Sequence, residues 1–231
     1  MSFSKTELRD LAICWLVLAA CLSIGVFFNR TEDPWSTVFM NFLAVLLITL
    51  VAMATGFIVH ELAHKFAAQR YGFWAEFRIW KPGMIISIAT SLLSFGTFIF
   101  FAPGAVRTMA YRPLTERENG VISTWGPAAN IVMALLFYFI YFFRHAMPLS
   151  GDFTWNVQVL GQTFKSYPLN VFTLGGRLGF QLNLWLAAFN LIPLGPLDGA
   201  SIFRWSKVVW GILVAVAWGL LLLSSFGVLP L

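Results

Sequence analysis

Three side chains in one five-residue run, His60, Glu61 and His64 of "HELAH", have the types and spacing for metal chemistry. Four residues of α-helix turn through about 400°, so both imidazoles leave the same face one turn apart. Nitrogens so placed reach a single tetrahedral zinc at about 2.0–2.1 Å. Glu61 projects close to that ion without binding it, and can take a proton from a water that the metal activates. A short match of this kind also arises by chance on ordinary helix surfaces. The setting separates the two cases. Of three histidines in the chain, two fall here, at the end of an almost uncharged run that begins near Trp35. Ionisable groups at that depth are rare and as a rule functional.

A catalytic zinc takes three protein ligands and keeps one position open. His145 lies beside Arg144 at the far end of a later apolar run and reads as an interfacial residue. Asp198, in "FNLIPLGPLDGAS", is the only acidic residue after Asp152 and follows the helix-breaking Pro193 and Pro196. It is the candidate third ligand, although Asp is also a good helix N-cap. Two alternatives stand beside this one. Glu76, Glu116 or Glu118 could complete the site in a membrane-anchored enzyme acting on soluble-side loops. A non-catalytic membrane protein could use the same metal as a structural or transport site. A closed structural site has four protein ligands and no use for a base at Glu61.

The elements that must hold these groups are membrane helices. The chain has 231 residues, 59% apolar and 11% charged, against about 45–50% and about 25% in soluble domains. A span needs roughly 20 apolar residues. Residues 11–28, 35–59, 120–143, 173–194 and 208–229 qualify, and 144–172 reads as a polar loop. The net charge of +5 comes from basic residues in the loops between apolar runs. That pattern fits membrane orientation, with no nucleic-acid partner. Cys14 and Cys21 are seven residues apart in the first run. Two helical turns are too long for a disulfide, so both read as buried thiols. No cleavage site for a signal peptide is evident, and the first run reads as a retained span.

Residues 83–106 are apolar enough to cross, but contain Gly83, Gly96, Pro103 and Gly104 and the β-rich string "FGTFIFF". Charge decides between a crossing and a re-entrant element. With the N-terminus inside and 83–106 re-entrant, only Arg30, Arg144, Lys165 and Arg177 of the fifteen Lys and Arg fall outside, as the positive-inside rule favours. A full crossing would also put Asp198 on the opposite side from HELAH. The reading is therefore an all-α polytopic membrane protein of about five to six transmembrane helices. A short re-entrant or β-hairpin element follows the HExxH helix. Non-helical backbone at membrane depth must be buried in protein or face water, which places that element beside a hydrated site.

Three segments together resemble the site-2 protease family of intramembrane zinc metalloproteases. "HELAH" resembles its HExxH, "FNLIPLGPLDGA" its Asn-x-x-Pro-x-x-x-x-Asp-Gly element, and "GPAAN" (126–130) the Gly-Pro-x-x-Asn of the intervening core helix. The resemblance covers roughly residues 40–205, within a single membrane-embedded protease domain over 1–231. It implies one Zn²⁺ per chain held by His60, His64 and Asp198, with Glu61 as general base. It implies further that Asn190 and Asn130 steady the substrate backbone or a developing oxyanion, although a helix–helix hydrogen bond competes for either amide. The family's usual Asp-Gly-Gly is Asp198-Gly199-Ala200 here, a small loop difference. No connector has room for an inserted PDZ domain, as in the compact, largely prokaryotic members.

"FFAPGAV" (100–106) resembles a family segment that is often strand-like. Pro103 and Gly104 are the candidate substrate-binding residues, since a strand edge can pair with an extended peptide. The implied activity is hydrolysis of a peptide bond in or near the membrane segment of a single-span protein. The implied setting is the cell membrane of a prokaryote, with the N-terminus and the active-site end cytoplasmic.

Overall fold

The structure, a computed structural model, describes residues 3–28, 35–109, 112–146, 157–159, 162–164, 171–226 and 229. Helix α1 (Lys5–Ser23) begins at Lys5 rather than at residue 11. Ser4 caps it, its Oγ accepting the Glu7 N–H at 3.1 Å. The acidic residues Glu7 and Asp10 of its first turns are buried against protein, not exposed to lipid. The short α2 (Gly25–Phe28) follows. Helix α3 (Trp35–Met53) runs through one π-helical turn, Ala54–Ile58, into α4 (Val59–Arg70). The apolar span and HELAH are thus one continuous rod.

Strands β1 (Trp74–Ile79) and β2 (Gly104–Met109) pair antiparallel, with Ile79 opposite Gly104 and Glu76 opposite Arg107. Between them lie α5 (Lys81–Leu93) and a non-helical return. The chain leaves the sheet at Ile79 and rejoins it at Gly104, where the Trp80 N–H donates to the Pro103 carbonyl at 2.9 Å. Segment 83–106 therefore starts and ends at the same place. Helix α5, at 13 residues, is about 20 Å long, short of a hydrocarbon core of about 30 Å. Hydroxyls on α5 satisfy the returning backbone. Ser87 Oγ donates to the Phe100 carbonyl, and Thr90 Oγ1 accepts the Phe100 N–H.

Helix α6 (Glu116–Ala146) starts with a reciprocal cap. Thr115 Oγ1 accepts the Glu118 N–H, and Glu118 Oε2 accepts the Thr115 N–H. This is the Ser/Thr-x-x-Glu signature of a helix start. Strands β3 (Val157–Val159) and β4 (Gln162–Phe164) form an antiparallel pair inside the stretch read from sequence as loop. Helices α7 (Val171–Asn190), α8 (Asp198–Trp205) and α9 (Lys207–Ser225) complete the fold.

Helix α7 serves the two largest apolar clusters. Leu182 and Leu186 pack with Leu18, Leu22, Met53, Phe57 and Phe77. Phe180, Leu184 and Ala188 pack with Ala134, Ile202 and Ala217. Cys14 and Cys21 are free and buried. Four of the described helices are long and apolar enough to cross a membrane: Lys5–Phe28, Val38–Arg70, Glu116–Phe143 and Lys207–Ser225. Their outward faces carry exposed Leu47, Val51, Val132, Phe139, Val208 and Ile212, the surface that lipid covers. The protein is a multi-pass membrane protein.

Candidate metal centre

HELAH sits on α4 immediately after the π-helical turn. That wide turn leaves the Gly56 carbonyl to accept from Asn130 Nδ2 at 2.7 Å, and such bulges recur at functional sites. His60 and His64 point into the space between α4, α6 and α8. Each is oriented through its Nδ1, which leaves Nε2 free. His60 Nδ1 donates to Asn130 Oδ1 at 2.5 Å, and His64 Nδ1 to the Ile122 carbonyl at 2.9 Å. Hydrogen bonds of this kind set the tautomer and direction of metal-binding histidines.

Asp198, 134 residues beyond His64, completes the group. It is the first residue of α8, and Leu197 occupies the cap position. Its carboxylate is therefore directed at the imidazoles, not at the helix end. Nε2 of His60 and Nε2 of His64 are 3.0 Å apart, and Asp198 Oδ2 lies 3.3 Å and 3.1 Å from them. Tetrahedral zinc with bonds of about 2.0–2.1 Å has ligands about 3.3–3.4 Å apart. The donor triangle fits that ion. Among the described residues no other group of His, Cys, Asp and Glu converges in this way.

The glycine of "GPAAN" has a steric reason. A Cβ on Gly126 would overlap both imidazoles, so only glycine lets α6 approach the pair. In the same turn, Pro127 offers no N–H to the carbonyl four residues earlier. The Asn119 amide donates to Ser201 Oγ at 2.9 Å and ties α6 to the start of α8. A Cβ on Gly199 would meet the Leu191 and Ile192 backbone, so Gly199 allows α8 to fold tightly onto the end of α7.

Glu61 lies beside the triangle and is buried; its carboxylate accepts the Val106 N–H, and its Oε2 has no hydrogen-bond partner among the described residues. A buried carboxylate oxygen without a partner is costly, and Glu61 lines the cavity beside the triad. That cavity, of about 460 Å³, is lined by the triad, Glu61, Asn190, Pro103, Gly104 and the length of β2 to Thr108.

The two asparagines part company. Asn190 lines the cavity; its Nδ2 donates once, to the Leu186 carbonyl at 3.0 Å, leaving a second N–H. Asn130 is fully buried, and both its donor hydrogens are engaged, by the Gly56 carbonyl and by Asn183 Oδ1 at 3.1 Å. With its oxygen on His60, it has nothing left for an oxyanion. Its place is behind the histidine. Asn183, buried on α7 and donating to the Gly179 carbonyl, was not singled out in sequence. An amide in an apolar helix is the signal that could have found it.

Pro103 and Gly104 line the cavity but serve mainly the hairpin. The Pro103 carbonyl accepts from Trp80 N–H, and a Cβ on Gly104 would collide with Phe77 and the Arg78 carbonyl. Glu76 pairs with Arg78, and Glu118 with Arg112 and Thr115, so neither joins the metal group. His145 lies near the far end of α6, about 35 Å along the helix from Ile122; its side chain is outside the described residues. Sequence reading also missed a buried ion pair, Lys65 Nζ to Glu7 Oε2 at 2.5 Å, next to His64 in sequence.

Comparison with known proteins gives a consistent picture. The family described as Peptidase family M50 matches residues 48–212. Three relatives carry the name "Putative zinc metalloprotease". MJ0611 of Methanocaldococcus jannaschii is 34% identical over 213 residues, 91% of this chain and 90% of its own. YwhC of Bacillus subtilis is 30% identical over 71% of this chain and 70% of its own. Rip2 of Mycolicibacterium smegmatis is 23% identical over 84% and 70%. No solved structure matches.

Proposed function

The chain belongs to Peptidase family M50 and is a zinc metalloprotease; from that premise we propose that it cuts within the membrane, at a peptide bond in or near the transmembrane segment of a single-span protein. The observation that carries this reading is the place of the two histidines within the continuous apolar rod Val38–Arg70. His60 and His64 lie ten and six residues before the end of the rod at Arg70, about 15 and 9 Å along its axis. Peptide bonds accessible there belong to membrane segments.

One zinc per chain, held by His60, His64 and Asp198, supplies Lewis-acid activation of water and of the scissile carbonyl when bound. Glu61 accepts the proton of the attacking water on Oε2 and delivers it to the leaving amine nitrogen. Asn190 donates its remaining N–H to the carbonyl oxygen as negative charge builds there. Asn130 holds His60 through Nδ1. The helices exclude lipid, while the cavity admits water.

A helical substrate hides its scissile carbonyl in its own hydrogen bonds and must unwind. Strand β2 supports that step. The outer edge of β1 is closed by α1, with the Phe77 N–H on Glu7 Oε1 at 3.1 Å and the Ile79 N–H on Asp10 Oδ2 at 3.4 Å. Val106 and Gly104 sit opposite those residues. In an antiparallel pair their N–H and C=O groups likewise turn outward, toward the cavity, the Val106 N–H there meeting the Glu61 carboxylate. An unwound peptide gains a partner there by strand addition. The setting is the cell membrane of a prokaryote, with the N-terminus and the active-site end cytoplasmic. Regulated intramembrane proteolysis is the physiological context.

The test is purified protein, metal analysis and a panel of single-span substrates. Glu61→Gln is expected to keep its zinc and lose about 10²–10⁴ in rate. Asp198→Ala is expected to lose zinc, whereas Glu76→Ala keeps it. Cleavage surviving in Glu61→Gln would remove the general base from the reading.

A further inference from the structure

Two arginines line the cavity that holds the triad, Arg78 on β1 and Arg107 on β2. Arg78 is paired with Glu76. Arg107 stands directly opposite Glu76 in the register, yet that carboxylate turns along its own strand to Arg78. No side-chain hydrogen bond or ion pair engages the Arg107 guanidinium among the described residues, and the residue is exposed and lines the cavity.

The remaining carboxylates nearby have partners of their own. Glu7 pairs with Lys65, Asp10 with Arg9, and Asp198 with both imidazoles; Glu61 makes no ion pair with Arg107. Strand alternation puts Ala105 and Arg107 on the exposed face of β2, and Val106 on the opposite face, packed against the core. A strand laid along the open edge of β2 would place every second side chain on the face that carries Arg107. The residue directly across would have its Cβ about 4.5–5.5 Å from that of Arg107.

We propose that Arg107 is a specificity-determining residue that receives an acidic side chain of the substrate, at the position directly across from it on a strand added to β2. The inference rests on the strand-addition reading given above. A guanidinium offers a planar fork to a carboxylate and can hold it by two hydrogen bonds. Opposite charges across a strand pair are worth roughly two- to five-fold, and like charges cost a similar factor. The selection therefore acts in both directions, favouring Asp or Glu and disfavouring Lys or Arg. Orientation by positive loops accounts for a basic residue anywhere on this side, but not for an unpaired one on the cavity wall.

The experiment scans Glu, Gln and Lys, one position at a time, through the region around the cut of a single-span substrate. The enzyme is the full chain in a zwitterionic detergent, and kcat and KM are measured separately. At one position Glu is expected to exceed Gln by roughly two- to five-fold and Lys by roughly ten-fold or more, mainly through KM. Arg107→Gln is expected to flatten that ranking, and Arg107→Glu to invert it at the same position with zinc content unchanged. Substrates all cut equally well by the native protein would overturn the inference and leave the protease reading intact. Zinc-loaded native protein that cuts none of them would overturn the protease reading itself. A ranking that survives Arg107→Glu would assign the selection elsewhere. A ranking abolished by added phosphatidylglycerol would place the guanidinium on lipid phosphate instead, and overturn it too.

Discussion

At the scale of single residues, the centre separates groups that face substrate from groups that stand behind a ligand. Asn130 and Asn190 are alike in type, in helical setting and in family resemblance, yet their hydrogen bonds differ. Asn130→Ala removes the acceptor that orients His60 and is expected to weaken zinc binding about 10- to 100-fold, read by competition with a metal chelator. Asn190→Ala is expected to leave zinc affinity intact and to lower kcat by about 10²–10³. If Asn190→Ala released the metal, or Asn130→Ala changed kcat alone with zinc held as tightly, the two roles would have to be exchanged.

At the scale of elements, α1 does more than span. Its first two turns close the edge of β1 through Glu7 and Asp10, and Glu7 also neutralises Lys65 on the catalytic helix. Lys65 and Glu7 have side-chain exposures of 1% and 0%. Removing one partner of a buried pair strands the other charge at about 3–5 kcal/mol, whereas replacing both by apolar residues is near neutral. Glu7→Leu is therefore expected to lower thermal stability in detergent sharply, and Glu7→Leu with Lys65→Met to restore most of it. Strand β2 makes a separate prediction. Thr108→Pro, two residues along the same edge and opposite Ala75, removes an outward N–H without touching the pairing to β1, and is expected to depress kcat/KM while zinc and stability hold. Pro103 and Gly104 are poorer probes, because both build the hairpin itself.

At the scale of the whole molecule, the return of 83–106 to its own starting point puts HELAH and Asp198 at the same end of the fold. Only then can residues 134 positions apart share an ion. Cysteines placed at Lys81 and Ala105, in a background lacking Cys14 and Cys21, are expected to react with an impermeant maleimide from the same face of sealed vesicles. Labelling from opposite faces would mean that the segment crosses. The hairpin also turns the outward edge of β2 toward the cavity that holds the triad, so that in the proposed reading binding and chemistry share it.

HELAH, the polar Asp198 after two prolines, and the apolar runs were legible in the residues because each rests on local rules: helical period, ligand type and the length needed to span lipid. The basic loops also favoured a returning 83–106 over a crossing, since charge is cheap on one side of a membrane and costly within it. What depends on contact between distant segments was not legible. Spacing could not show that Asn130 turns its amide to His60, nor that Glu7 meets Lys65, nor that Arg107 lacks the partner that Arg78 has. A hydrogen bond or ion pair needs atoms within about 3 Å, and only the packed helices and the closed hairpin bring those atoms that near.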